Sequence, residues 1–250
     1  KAVIIGDARK HKSEALFRAF GRFVDSLGGK YITAEDVGIG TQDIEQVAME
    51  TKYVSGMPKS LGGSGDPSPV TAYGVYVGMK AAAKKVYGSD SLAGKKVAVQ
   101  GVGHVGQYLV EYLVKENAQV IISDIYEDRI QALTKQFPNL QVVDKDNIYD
   151  ADMDIYAPCA LGATVNDDTL NRLKCKIIAG AANNQLQDEN RHGDMCGEKG
   201  ILYAPDFLIN SGGIINVYCE ISMPTYNADR AYEQTERIYQ YTLDIIETAE

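Results

Sequence analysis

The stretch "KKVAVQGVGHVGQYLVEYL", Lys95 to Leu113, decides the fold. Val97 to Gln100 reads as a strand, and Gly101, Gly103 and Gly106 follow in G-x-G-x-x-G spacing. Leu109, Val110 and Leu113 then fall on one face of a helix. Strand, glycine turn and helix in that order are the context that turns a weak glycine pattern into a dinucleotide-binding signal. Gly101 permits the tight turn, Gly103 lets the backbone approach a pyrophosphate, and Gly106 allows the helix to pack close to the strand. The first N–H groups of the helix, around His104 and Val105, then face the phosphates.

Working outward, the next apolar run, "AQVIISD", ends at Asp124, 23 positions after Gly101. A carboxylate there accepts hydrogen bonds from the adenosine ribose hydroxyls and repels a ribose 2′-phosphate. Within four residues on either side there is no arginine, so NAD is favoured over NADP. Asp124 also suits a helix cap for the segment starting at Tyr126. Six short apolar runs, "VAVQG", "AQVIISD", "LQVVD", "MDIYAP", "KIIAGAA" and "ILYAP", alternate with helix-like segments after Gly94. The fold class is therefore α/β, a doubly wound parallel (Rossmann) sheet.

The N-terminal part reads differently. "AVIIG" and "YITA" read as strands, while Ser13–Leu27 and Thr41–Thr51 carry apolar residues at helical spacing. The stretch "SGMPKSLGGSGDPSP" holds four glycines and three prolines, which marks a loop and a domain boundary. Ser68 and Pro69 suit the N-cap and first position of an alanine-rich helix running to about Tyr87. The expected organisation is part of a smaller α/β substrate domain over residues 1–66 and an NAD-binding Rossmann domain with connecting helices over 67–250.

Composition narrows the function classes. The 250 residues carry a formal net charge of −9, which disfavours nucleic acid as a partner. There is neither an apolar run of membrane-spanning length nor a signal-peptide pattern, so the reading is cytoplasmic with no membrane partner. Cys159, Cys175, Cys196 and Cys219 stand singly, without C-x-x-C pairs, and only three histidines accompany them. No disulfide framework and no metal site is expected. Cys159, in "APCALGA", is either a small buried residue or a thiol placed beside a nicotinamide, as an acyl-accepting nucleophile requires. His11, His104 and His192 sit in no recognisable catalytic context.

The blocks "YITAEDVG", "GDPSPVTAYGVYVGMKAA", "VAVQGVGHVG", "DIYAPCALGATVN", "IAGAANNQL" and "YAPDFLINSGGIINVY" occur in this order. Together they resemble the leucine dehydrogenase branch of the glutamate, leucine, phenylalanine and valine dehydrogenase family. The likeness runs from Lys1 to about Tyr241. It implies NAD-dependent, reversible oxidative deamination of leucine, valine and isoleucine to 2-oxo acids and ammonia by a homo-oligomer. Lys1 and Asp36 match the family's catalytic lysine and aspartate. Both types suit the chemistry, because protons must move at a nitrogen and at a water. Thr71 matches a threonine contacting the nicotinamide amide. Cys159, Ala160 and Asn183 fall in blocks expected near the nicotinamide, and Asn210 in one expected near the substrate amine. Ala34, Ile214 and Val217 match positions lining an apolar side-chain pocket, although Ile214 and Val217, three apart, equally suit the buried stripe of a helix. Asn183 and Asn210 also suit turns after strands. The resemblance further implies that this chain lacks the family's N-terminal segment and C-terminal tail. Three alternatives stay open: a catalytically inert NAD-binding fragment, a relative acting on another apolar amino acid such as phenylalanine, and a different dehydrogenase on the same Rossmann frame, such as a hydroxy-acid or aldehyde enzyme.

Overall fold

A computed structural model describes residues 2–223 and 225–249. By its internal contacts the chain divides into two compact units, Lys1–Pro67 with Gly213–Tyr232, and Ser68–Gly212 with Glu233–Glu250.

The first unit opens with α1 (Glu14–Ser26), whose N-cap Ser13 accepts a hydrogen bond from the Leu16 N–H. Its apolar face buries Phe17 and Val24, and α2 (Thr41–Ala48) buries Ile44 and Val47. The two helices approach closely at Gly21, where a Cβ would stand 2.6 Å from the Val47 carbonyl oxygen. Two short strands, β1 (Thr33–Ala34) and β2 (Val54–Ser55), pair in parallel with Ala34 opposite Ser55. The run Ala2–Gly6, expected as a strand, is not one. It pairs with nothing among the described residues and leaves Ile5 fully exposed. Apolar β-forming composition makes a strand only where a partner backbone is available, because unpaired N–H and C=O groups gain nothing from an extended run.

The second unit begins with α3 (Ser68–Tyr87), followed by β3 (Lys96–Gln100), α4 (His104–Lys115), β4 (Gln119–Ser123), α5 (Glu127–Gln136) and β5 (Gln141–Val142). Then come β6 (Ile155–Pro158), α6 (Asp167–Arg172), β7 (Ile177–Ile178), α7 (Glu189–Glu198), β8 (Leu202–Tyr203) and α8 (Asp206–Ile209). The chain continues through α9 (Gly212–Ser222) and α10 (Ala228–Glu236) to α11 (Ile238–Ala249). All six runs predicted after Gly94 become strands. They form one parallel sheet in the order β5-β4-β3-β6-β7-β8, with crossovers leaving β3 in opposite directions. The middle of β3 and the whole of β6 are buried, with Val97, Ala98, Val99, Ile155, Tyr156 and, on β7, Ile177 all at 0% exposure, as a sheet covered on both faces requires.

Helix α3 packs on α8, and two glycines make this possible. A Cβ on Gly74 would fall 2.7 Å from the Ile209 carbonyl oxygen, and one on Gly78 only 2.3 Å from the Ile209 side chain. Helix α3 is tied to α4 by Glu116, which pairs with Lys80 at 2.8 Å, accepts the Tyr76 hydroxyl and accepts the Leu92 N–H at 3.0 Å. No helix among the described residues is long and apolar enough to cross a membrane.

Candidate functional site: a glycine turn at the sheet switch point

The strand order reverses direction between β3 and β6, and ligands of open parallel sheets bind outside the carboxyl ends of the strands at that switch point. The predicted glycines stand there. Gly101 adopts φ +92°, a left-handed conformation that favours glycine, and its N–H donates to the Ser123 carbonyl at 2.7 Å. A Cβ on Gly101 would lie 2.7 Å from the Ala160 Cβ, so the turn after β3 presses against the turn after β6. Gly106 is the tightest position: a Cβ there would stand 2.0 Å from the Gly101 carbonyl oxygen. Gly103 is the N-cap of α4, extended and with no side-chain cap hydrogen bond, so the backbone itself forms the mouth of the helix ahead of His104 and Val105. A helix N-terminus so presented favours an anion, and a backbone cradle closed to any Cβ fits a pyrophosphate.

Asp124 follows β4 with its side chain 4% exposed. One carboxylate oxygen accepts the Val102 N–H inside the glycine turn at 2.8 Å, and the other accepts the Tyr126 N–H at 2.9 Å ahead of α5. It thus braces the turn and the start of the helix together. Arg129 approaches the same carboxylate to 3.6 Å. The sequence window around Asp124 held no arginine; this one lies five residues on, and the first turn of α5 carries it back.

Along the carboxyl edge of the sheet, the other predicted positions of this unit follow. Cys159 donates its N–H to the Gln100 carbonyl at 2.7 Å, joining the ends of β6 and β3. Burial pushes the Cys159 thiol up to about 12, so it is protonated near neutrality and is a poor nucleophile. Gly162, in the loop after β6, would place a Cβ 2.7 Å from the Asn183 carbonyl oxygen, so that loop touches the one after β7. Asn210, at the end of α8, donates its side-chain amide to the Asn183 side-chain oxygen at 2.7 Å and to the Ala181 carbonyl at 3.2 Å. The two asparagines read separately from sequence are therefore one hydrogen-bonded pair. Thr71, half-buried in the first turn of α3, lies beside Gly212, where a Cβ would come within 3.1 Å of the Thr71 Cα.

Two residues that sequence reasoning missed hold these loops. Gln185, fully buried, donates its side-chain amide to the Gly180 and Ala182 carbonyls at 2.8 and 2.9 Å. Glu220, on α9, accepts backbone N–H bonds from Gly56, Met57 and Ser64 at 3.0, 3.5 and 2.7 Å. It gathers the glycine- and proline-rich loop of the first unit.

Also in the first unit, Ala34 sits half-buried on β1, and Asp36 follows as an exposed residue whose carboxylate accepts the Val37 N–H at 2.8 Å. Ile214 and Val217 lie one helical turn apart on α9, Ile214 exposed and Val217 half-buried, so neither is a fully buried core position. Lys1 lies outside the described residues. The remaining thiols are sequestered. Burial pushes Cys175 up to about 12 and Cys196 up to about 11, and raises Cys219 as well. His11 and His192 each accept a backbone N–H through Nδ1, from Asp7 at 2.8 Å and Asp188 at 2.9 Å.

Comparison with known proteins places this geometry. Residues 62–126 and 122–248 match the family described as Glutamate/Leucine/Phenylalanine/Valine dehydrogenase, and residues 1–53 match its dimerisation domain. The chain is 55% identical to the leucine dehydrogenase of Thermoactinomyces intermedius, covering 100% of this chain and 67% of that protein. It is 56% identical to the leucine dehydrogenase of Bacillus subtilis (strain 168), covering 96% and 65%. The crystal structure of L-tryptophan dehydrogenase from Nostoc punctiforme superposes with a TM-score of 0.75 at 43% identity, over 95% of this chain and 67% of that one. The chain spans about two thirds of the length of the curated relatives it matches. These matches correct the expectation of a truncated family member at the level of domains: both family domains are matched, the dimerisation domain over residues 1–53 and the dehydrogenase domain over residues 62–126 and 122–248. With a glycine turn at the switch point of a six-stranded parallel sheet and both family domains matched, the chain belongs to the glutamate/leucine/phenylalanine/valine dehydrogenase family.

Proposed function

We propose that this chain is an NAD-dependent dehydrogenase that reversibly deaminates leucine, valine and isoleucine to 2-oxo acids and ammonia. The observation that carries the reading is the glycine turn, closed to any Cβ at Gly101 and Gly106, at the carboxyl edge of the sheet. The substrate class is supported by 55% and 56% identity to two leucine dehydrogenases against 43% to the tryptophan dehydrogenase.

Bound NAD supplies the acceptor for a hydride from the substrate Cα. The chain's own residues divide the remaining work. Gly101, Gly103 and Gly106, with the first N–H groups of α4, hold the pyrophosphate, and Asp124 holds the adenosine ribose. Thr71, Cys159, Ala160 and Asn183 serve the nicotinamide end. Asp36 moves a proton at the substrate nitrogen, and Lys1 moves one at water. Asn210 orients the amine, while Ala34, Ile214 and Val217 enclose the aliphatic side chain. An apolar slot of this kind discriminates by volume, one methylene being worth about 1–3 kcal/mol, so all three branched-chain substrates are accepted.

In this reading the first compact unit, Lys1–Pro67 with Gly213–Tyr232, supplies the substrate side, so the boundary expected at residue 66 is crossed by the return of α9, and the second unit supplies the nucleotide side. A homo-oligomer is supported by the dimerisation-domain match, and the setting is read as cytoplasmic. NADH formation tests the proposal, with leucine, valine, isoleucine, phenylalanine and glutamate compared at equal concentration. The three branched-chain substrates should lead. Turnover led by phenylalanine would move the chain to the aromatic branch, and NADH binding without turnover on any of them would favour an inert nucleotide-binding module.

A further inference from the structure

The carboxylate of Asp124 stands at the ribose position with two backbone hydrogen bonds, one from the glycine turn and one from the start of α5, and 4% side-chain exposure. Beside it stands the guanidinium of Arg129. Its Nη1 lies 3.6 Å from Asp124 Oδ2, its guanidinium carbon lies 4.6 Å from the centre of the Tyr126 ring, and a Cβ on Gly103 would stand 3.4 Å from Nη1. Carboxylate, ring and glycine turn thus surround the guanidinium, while 36% of the side chain remains exposed.

A cation so placed does two things. It offsets the Asp124 charge at the position where an adenosine ribose is held, and its planar fork presents N–H donors suited to phosphate oxygens. Resting on the nucleotide reading above, we infer that Arg129 is a specificity-determining residue of the dinucleotide site, making it tolerant of a ribose 2′-phosphate. Asp124 alone would repel that group. The chain therefore binds NADPH as well as NADH, with NADH preferred because Asp124 still serves the unmodified ribose.

Calorimetric titration of the full chain with NADH and with NADPH tests this in the unaltered protein, Arg129→Ala and Arg129→Lys, with circular dichroism confirming the fold of each. The unaltered chain should bind NADPH within about a hundredfold of NADH. Arg129→Ala should weaken NADPH by about tenfold or more, the scale of one lost charge-assisted contact, and NADH by less than about threefold. Arg129→Lys, keeping the charge without the fork, should recover part of the NADPH affinity. Equal weakening of both nucleotides in Arg129→Ala would make Arg129 a brace of the turn and overturn the inference, as would an unchanged ratio. If NADH itself fails to bind the unaltered chain, the nucleotide reading and this inference fall together. NADH binding with the ratio unmoved sinks only the role of Arg129.

Discussion

The proton-transfer role proposed for Asp36 can be tested apart from folding. Its carboxylate accepts the Val37 N–H and its carbonyl accepts the Ile39 N–H, a turn that asparagine can reproduce. Asparagine cannot take up a proton. Asp36→Asn should therefore leave stability and NADH affinity nearly unchanged and lower kcat with leucine by about 10² to 10⁴, the scale of a general acid or base. Near-normal kcat at saturation would remove Asp36 from the proton-transfer role. Ala34, half-buried on β1, tests the pocket in the same spirit. Ala34→Leu should cut kcat/KM for leucine more than for alanine, because overpacking a close-fitted slot costs about 1–3 kcal/mol. Equal effects on both substrates would take Ala34 out of the pocket. Residues of the glycine turn were legible because their signal is local: strand, spacing and helix lie within one short window. Arg129 was not, because the return of a helical turn toward the end of β4 is a three-dimensional fact that no count of flanking residues captures.

At the scale of elements, the strands of the main sheet were legible for a reason the buried faces make plain. Strands covered on both sides must be apolar throughout, so Val97–Val99 and Ile121–Ile122 announce themselves as continuous runs. Ala2–Gly6 has the same look and a different fate, since composition reports that a segment could pair and never whether a partner edge exists. The loop from Gly56 to Ser64 was legible as a loop, but what organises it was not. Glu220 lies 156 positions beyond Ser64, and only folding brings its carboxylate to the three N–H groups. Glu220→Ala should leave those donors without their acceptor and destabilise the first unit by about 2–4 kcal/mol, while Glu220→Gln, which keeps one acceptor oxygen, should cost less. Limited proteolysis reads this directly: cleavage between residues 56 and 64 should accelerate in the alanine variant. Equal cleavage rates in the unaltered chain and Glu220→Ala would mean that the loop is held by other contacts.

For the whole molecule, pH dependence follows from groups that fold into apolar surroundings. Cys175 and Cys196, 3% and 2% exposed, ionise near 9.0 when unconstrained, but burial pushes them up to about 12 and about 11. Above pH 9 the unfolded chain releases these protons and the folded chain keeps them, so the folded state is the more protonated one. Their contribution to stability is complete below about pH 9 and is lost as pH rises through 11 and 12. The expected slope is about 1.4 kcal/mol per pH unit for each fully shifted thiol. Urea midpoints measured from pH 8 to 10.5 should fall, and Cys175→Ala should flatten the fall above pH 9 by about one proton's worth whatever its effect at pH 8. An unchanged slope in that variant would show that Cys175 ionises freely in the native protein.

The same sequestered sulfurs give the molecule a chemical clock. A thiol whose pKa is about 12 is a thiolate in roughly one molecule in ten thousand at pH 8, so an alkylating reagent such as iodoacetamide marks it only when the surrounding structure opens. Cys219 belongs to the first compact unit, and Cys175 and Cys196 to the second. Pulse alkylation followed by peptide mass spectrometry should therefore time the opening of each unit separately, in one tube and without any engineered probe. Identical labelling rates at Cys219 and Cys175 across urea concentrations would mean that the two units open as one, and a faster rate at Cys219 would identify the first unit as the one that yields first.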